Sequence, residues 1–463
     1  MNTSDIQLLV IAAGGVLLLV TLIVSRSRIH PLLALIVTSV AVGLLAGMPM
    51  EKVIKSIESG AGGTLGVVGL VVALGAMLGK ILAETGVTEG IAETIIRKTP
   101  IRLLPWAMSG VAFVIGIPMF FEVGLVVLLP MVFSVAKKLE EASSIKGSAY
   151  VYVGVPVIAA LASMHGMVPP HPGPLTAIAS LNTNIGATML YGFVAAIPAI
   201  VLGGPIYGNF ITPRLAVKPD GALVKQFSGS GDDSSATRTW RPGLGLSVLI
   251  TLVPALLMLL NAILELVLPK ATAMARVAAF VGEPVIAMLI GVLFAASMLV
   301  YGRSGDAEKL RTTLSASLKP VANVLMIIAG GGAFQHVLTD AKVGDAIVHL
   351  SQQFSFSPLV LGWLISMLLS VSTGSATVGI VGASGLLAPL ATTEPVNTPL
   401  LALAIGCGSL FFNYANHAGF WLVKESFGMT MGEATKTISV VQSIVSVVGL
   451  AMVLLMNLLP PLV

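Results

Sequence analysis

Apolar residues fall along this chain in long blocks separated by short polar or Gly/Pro-rich breaks. About 20 consecutive apolar residues cross a bilayer as a helix. On that measure the blocks 6–24, 32–47, 64–83, 148–181, 187–211, 244–268, 277–301, 321–338, 399–423 and 437–459 read as spans. Stretches 103–136 and 357–390 differ, because each is interrupted midway by small, polar or proline residues. Each is too long for one helix and short for two full crossings. The pattern therefore predicts a re-entrant helical hairpin in both.

Basic residues test this layout, since Lys and Arg concentrate in cytoplasmic loops. With both stretches drawn as hairpins and the N-terminus outside, only Lys52, Lys55, Lys270, Arg276 and Lys342 of the 25 Lys and Arg fall outside, with Lys80 left inside a span. A single crossing at 103–136 would expose one of its basic flanks and reverse the loops that follow. Both termini are thus expected outside. The first block lacks a basic leader and a small-residue cleavage site and ends in Arg26 and Arg28, so it reads as a retained span.

Composition agrees with this reading. Hydrophobic residues make up 56% of the 463 positions, with 49 glycines besides, and only 10% are charged. Soluble domains carry about 25% charged residues. So much apolar surface cannot be covered in water, which makes this an integral membrane protein. The single cysteine, Cys407, excludes a disulfide framework and a cysteine-built metal site. The formal charge of +4 is scattered over short loops and forms no nucleic-acid stripe.

The chain also repeats itself. Gly75-Ala-Met-Leu-Gly-Lys-Ile-Leu-Ala-Glu84 aligns without a gap on Gly331-Gly-Ala-Phe-Gln-His-Val-Leu-Thr-Asp340. The same displacement lays Gly116-Ile-Pro-Met-Phe-Phe-Glu-Val-Gly124 on Ser372-Thr-Gly-Ser-Ala-Thr-Val-Gly-Ile380, so the two hairpin tips coincide. The predicted fold is an all-α inverted repeat. Each half has five transmembrane helices and one re-entrant hairpin, with discontinuous helices at the midplane. The first half covers 1–211 (hairpin 103–136, broken helix 148–181), and 212–243 is a cytoplasmic linker. The second half covers 244–463 (hairpin 357–390, broken helix 399–423).

Irregular backbone at membrane depth is tolerated only where it is buried in protein or lines a cavity. Four such breaks stand out: the tip 116–124, the segment His165-Gly-Met-Val-Pro-Pro-His-Pro-Gly-Pro174, the tip Ser372-Thr-Gly-Ser-Ala-Thr377, and Asn413-Tyr-Ala-Asn-His-Ala-Gly-Phe-Trp421. Half-helix N-termini with unpaired N–H groups suit a carboxylate, and side-chain hydroxyls add donors and acceptors for substrate hydroxyls. Ser372, Thr373, Gly374, Ser375, Thr377, Pro170, His171, Gly173, Asn413 and Asn416 are therefore the expected substrate-binding residues. Glu122, His417 and His165 are the expected proton-coupling groups, because ionisable residues at membrane depth are costly and mark ion pathways. Each has a plainer alternative: Glu122 satisfied by local backbone donors, the histidines bonded at kinked helix ends, and Ser372–Thr377 serving only close packing. Glu265, Glu283 and Lys80 read as span-end residues reaching the interface. No HExxH or comparable ligand spacing occurs, so neither a metal nor any other cofactor is expected.

These segments resemble the GntP family of gluconate permeases. The likeness rests on Gly116-Ile-Pro-Met-Phe-Phe-Glu-Val-Gly124, Val168-Pro-Pro-His-Pro-Gly-Pro174, Gly374-Ser-Ala-Thr377 and Ala418-Gly-Phe-Trp-Leu-Val-Lys-Glu425. The resemblance implies import of gluconate or a related sugar acid by proton symport across a bacterial cytoplasmic (inner) membrane. It implies a homodimer in membrane lipid and no enzymatic activity. Many relatives carry an Asn-Asp pair where this chain has Asn416-His417, which makes the site less negative here. A sodium-coupled carboxylate carrier, or a carrier of another small acid such as D-serine, is the alternative.

Overall fold

The computed structural model describes residues 3–24, 26, 28–97, 99–119, 121–141, 145–219, 243–267, 272–297, 307–319, 321–343, 346, 357–393, 396–414 and 417–461. Among them the chain is helical, with no strand. The first half runs through α1 (Thr3–Val24), α2 (Pro31–Leu45), α3 (Met50–Glu84), α4 (Val87–Arg97), α5 (Leu104–Gly116), α6 (Phe121–Glu141), α7 (Ala149–Met167), α8 (Pro172–Ser180) and α9 (Ile185–Arg214). The second runs through α10 (Leu244–Val267), α11 (Ala273–Gly282), α12 (Pro284–Ala296), α13 (Ala307–Leu318), α14 (Ala322–Asp340), α15 (Pro358–Thr373), α16 (Ala376–Leu387), α17 (Thr398–Gly408), α18 (Ala418–Phe427) and α19 (Met431–Met456).

Helix starts carry side chains that accept the orphan N–H groups of a first turn. Ser148 accepts from Val151, Asn184 from Ala187 and Asn397 from Leu400. Thr430 and Glu433 form a reciprocal capping box ahead of α19. Helix stops follow equally local rules. Gly374 at φ +69° ends α15 in the left-handed region, and Gly428 at φ +63° ends α18. After α7, Val168 is extended, and Pro169 and Pro170 offer no N–H, so the helix cannot continue.

Three expected spans take a different form. Block 64–83 belongs to α3, which starts at Met50 and passes through a π-helical turn at Leu65–Gly69. Its first part buries Val53, Ser56 and Gly60 while Glu51, Lys52, Lys55 and Glu58 face outward, an amphipathic pattern that counting apolar runs misses. Block 277–301 bends by 70° between α11 and α12. Glu283 sits at that bend, and its carboxylate accepts from Val285 at 2.9 Å and Ile286 at 3.2 Å, so it caps a helix inside the block instead of reaching for the interface. In block 399–423 the first helix ends at Gly408, and Ala418–Trp421 is already part of the next helix. The Glu265 side chain lies outside the described residues.

At the start of the expected linker the chain is held against the bundle. Residues 212–219 are docked: the Ser148 hydroxyl donates to the Val217 carbonyl at 2.5 Å, and Lys218 pairs with Glu140 at 3.2 Å. Asp232 through Ser235 lie outside the described residues. In the first hairpin, α6 has 21 residues and so reaches about 32 Å at 1.5 Å per residue. It ends in exposed Lys137, Lys138 and Glu141. In the second, Gly379 packs on Ser366 and Ser370, and Gly362 packs on Leu387, which makes α15 and α16 antiparallel.

Helix α7 is buried almost throughout and lies against α5, α6 and α9. It meets α17 where the two backbones touch. A Cβ on Gly406 would lie 1.9 Å from the Gly166 carbonyl oxygen. Gly62, on α3, has open space around it. Overpacking a tight core costs about 1–3 kcal/mol. Gly406→Ala is expected to lower the unfolding midpoint in detergent by several degrees, whereas Gly62→Ala should leave it unchanged or raise it. Equal midpoints for the two variants would refute this packing.

Candidate functional site

The first hairpin tip is held by its neighbours on both sides. Gly116 and Gly124 leave room for the Leu161 side chain of α7, and the Met119 N–H donates to the Gly116 carbonyl at 3.1 Å. Glu122 stands in the first turn of α6, half-buried, where the positive end of the helix dipole favours a carboxylate. Phe120 lies outside the described residues.

The Pro-rich break ends against this tip. His171 is 3% exposed, and its Nε2 donates to the Gly116 carbonyl at 2.9 Å, which ties the N-terminus of α8 to the end of α5. The His165 ring lies edge-on to His171 at 6.0 Å, and its Nδ1 is buried without a partner among the described residues. Pro170 and His171 face Pro118 and Met119 across a crevice of only about 10 Å³, so the two breaks are packed nearly shut on each other.

His417 arrives from the second half. It caps α18, its Nδ1 accepting from the Gly419 N–H at 3.2 Å, and Gly419 lies against the Phe121 ring. Glu122 is within electrostatic reach of both His165 and His417. One carboxylate and three imidazoles, drawn from three of the four breaks, therefore gather at the first tip.

The second tip lies on the other face of the Pro-rich break. Gly173 packs on Ile380, and further along the same two helices Ser180 bonds to Gln335, which lies against Gly385. Helices α8 and α16 thus run in the same direction, with their N-termini side by side. Ser372, Gly374, Ser375 and Thr377 are half-exposed there. The Ser375 hydroxyl caps Val378, and the buried Thr373 hydroxyl donates to Leu369.

Asn413 is engaged on every side. Its Oδ1 accepts from Ser370 at 3.2 Å, its Nδ2 donates to the Ser409 carbonyl at 3.3 Å, and its own carbonyl accepts from Ser439 at 2.6 Å. Asn416 lies outside the described residues. Sequence reasoning passed over the polar stripe of α19, Ser439, Gln442, Ser443 and Ser446. Its spacing of three, four and seven puts these residues on one helix face, a signal available in the sequence. Ser443 accepts from the Phe412 N–H, and Ser446 donates to the Cys407 carbonyl while accepting from Trp363.

A cavity of about 530 Å³ opens beside Glu122 between α3, α6, α13 and α18. Its walls include Gly79, Lys80, Met119, Val126, Ser317 and Leu422. Lys80 is therefore part of this site and not a residue reaching for the interface. It pairs with Glu84 at 3.1 Å, and Glu84 accepts from Thr313 at 2.6 Å. None of Ser372–Thr377, Pro170, His171, Gly173 or Asn413 lines the cavity.

Half-helices that meet at buried breaks inside an apolar bundle define a membrane transport protein of the discontinuous-helix kind. A family model described as GntP family permease matches residues 6–459. The chain is 42% identical over 452 residues to the high-affinity gluconate transporter of Escherichia coli K12, covering 97% of this chain and 99% of that one. It is 39% identical over 457 residues to a gluconate permease of Pseudomonas aeruginosa, covering 98% and 99%. The chain belongs to the GntP family of permeases and is a permease, not an enzyme. Among solved structures, MtrF of Neisseria gonorrhoeae, from a class of antimetabolite efflux pumps, superposes with a TM-score of 0.64 at 12% identity, covering 93% of this chain and 96% of that one. That likeness concerns the fold alone.

The His171 bond predicts a consequence. Removing one partner of a buried hydrogen bond costs about 1–3 kcal/mol, or roughly ten- to a hundredfold in an equilibrium or rate. His171→Leu is expected to reduce solute uptake by that factor while the protein still elutes as a single folded species. His171→Gln, which keeps a donor, should recover part of it. Uptake by His171→Leu at the parent rate would show that the Gly116 contact has no role.

Proposed function

We propose that the protein imports gluconate or a related small sugar acid by symport with protons across the cytoplasmic membrane of a bacterium. The observation that carries this is the placement of Glu122. A carboxylate at a hairpin tip, with His165, His171 and His417 around it, opens onto a cavity of about 530 Å³. The family and the gluconate permeases among its relatives supply the substrate class.

In this reading the two halves form an inverted repeat divided as the sequence suggests, and the chain works as a homodimer with both termini outside. The substrate carboxylate is held by the N-terminus of α16 with the hydroxyls of Ser372, Thr373, Ser375 and Thr377. The backbone of Gly374 and the Pro170–Gly173 turn shape the pocket, and Asn413 and Asn416 meet substrate hydroxyls. Glu122, with His417 and His165, exchanges the proton. Binding drives the cycle only through its differential affinity for the two faces of the carrier.

Labelled gluconate uptake into proteoliposomes under an inward proton gradient tests this. Accumulation should be abolished by a protonophore and lost in Glu122→Gln, which keeps the shape and removes the titrating group. Uptake that follows a sodium gradient instead would move coupling to the hydroxyls of the second tip. Uptake of D-serine but not gluconate would replace the substrate.

A further inference from the structure

The repeat exposes a difference between the halves. At the displacement that aligns Gly75–Glu84 with Gly331–Asp340, Ala76 corresponds to Gly332, Ala316 to Gly60, Lys80 to His336, and Met119 and Glu122 to Ser375 and Val378. Ala76, Lys80, Met119, Glu122 and Ala316 all line the cavity beside the first tip. Of their counterparts, Gly60, Gly332 and Val378 are packed shut, while His336 is exposed and Ser375 half-exposed. A Cβ on Gly60 would lie 2.3 Å from the Gly332 carbonyl oxygen, and one on Gly331 only 1.9 Å from Val381. Val378 and Ala383 have no exposed surface. Helix α14 packs directly on α16, where a cavity separates α3 from α6.

The end bonds are nonetheless alike. Lys80 pairs with Glu84, which accepts from Thr313, and His336 lies 3.7 Å from Asp340, which accepts from Ser56, one residue out of register with Thr313. The frame that joins the halves is thus similar on both sides, and the seam between frame and hairpin differs more. Within the closed seam, one side chain clasps a neighbouring helix. Gln335 accepts from the Ser180 hydroxyl at 2.7 Å and donates to the Ser180 carbonyl at 3.0 Å.

We propose that the α14–α16 seam is the closed counterpart of the cavity beside Glu122, and that the Gln335–Ser180 clasp is its latch. Release of Gln335 parts α14 from α16 and uncovers Val378 as the first cavity closes. Gln335 is then a positioning residue: it touches no substrate and acts through the seam. The proposal rests on the transporter reading above for its role in the cycle, but the seam can be read independently of transport.

Two experiments use the full chain in proteoliposomes, with the parent, whose Cys407 is buried, as the thiol-labelling blank. Val378→Cys should react slowly with a water-soluble methanethiosulfonate, and Val126→Cys, on the open cavity, quickly. Adding Gln335→Ala is expected to speed Val378→Cys labelling by about tenfold, the change that a shift of roughly 1.4 kcal/mol in population gives, and to slow Val126→Cys.

The second experiment locks the seam. The ideal Cβ of Gly385 lies 3.2 Å from the Gln335 Cβ, close to the roughly 3.5–4.5 Å that a disulfide spans. Oxidised Gln335→Cys/Gly385→Cys should lose uptake while Val126→Cys labels fast, and reduction should restore uptake and slow Val126→Cys labelling. Equal Val378→Cys labelling with and without Gln335→Ala, or full uptake by the cross-linked pair, overturns the proposal. If the parent itself takes up no gluconate under any gradient, the transport reading fails and the labelling comparison still decides the seam.

Discussion

Everything in this structure follows from the cost of an unpaired peptide group where water is absent. An unbroken helix meets that condition by itself. A helix interrupted at membrane depth does not, and this chain interrupts several. Each break is therefore a problem of partners before it is a binding site, and the most buried elements, α7, α16 and α17, are those that flank breaks.

The two halves meet the condition differently. The first break removes the donors: Pro169, Pro170, Pro172 and Pro174 carry no N–H, and the Gly116 carbonyl left at the end of α5 is taken by His171. The second break supplies partners instead. Ser370 and Asn413 serve the Ser409 carbonyl, Ser439 serves that of Asn413, and Ser446 serves that of Cys407. Close approach makes these bonds geometrically available. Gly408, whose Cβ would lie 2.1 Å from the Trp363 carbonyl, lets α15 and α17 touch, and Ser370 then reaches across.

This difference explains how much could be read from the sequence. Spans are legible because hydropathy is a property of contiguous residues. The Pro-rich break is legible because proline breaks a helix wherever it stands. The first part of α3 was missed because its apolar positions are spaced around a polar face, and the bend at Glu283 because a single acidic residue before proline looks like a span end. Bonds between distant segments leave no local trace. The Thr313–Glu84, Ser180–Gln335 and Ser370–Asn413 contacts join residues whose separation only the fold closes. The gathering of Glu122 with His165, His171 and His417 was legible as a list of expensive residues, but their adjacency was not. The α19 stripe was legible in principle, since its spacing is helical, yet serines in an apolar span carry too little charge to attract notice.

The same asymmetry bears on how labour is divided within the proposed site. A break whose N–H groups have been deleted by proline offers a solute few donors, but it leaves imidazoles and a carboxylate in a setting with little competing polarity. A break stabilised by hydroxyls keeps polar atoms near the helix N-terminus, where an anion gains from both the dipole and the hydrogen bonds. In the proposed function, proton handling therefore falls mainly to the first tip and anion recognition to the second. A carrier that splits the two tasks between tips needs both tips against a common element. Helix α8 is that element: its N-cap His171 touches the first tip, and its next turn, at Gly173, touches the helix that the second tip begins.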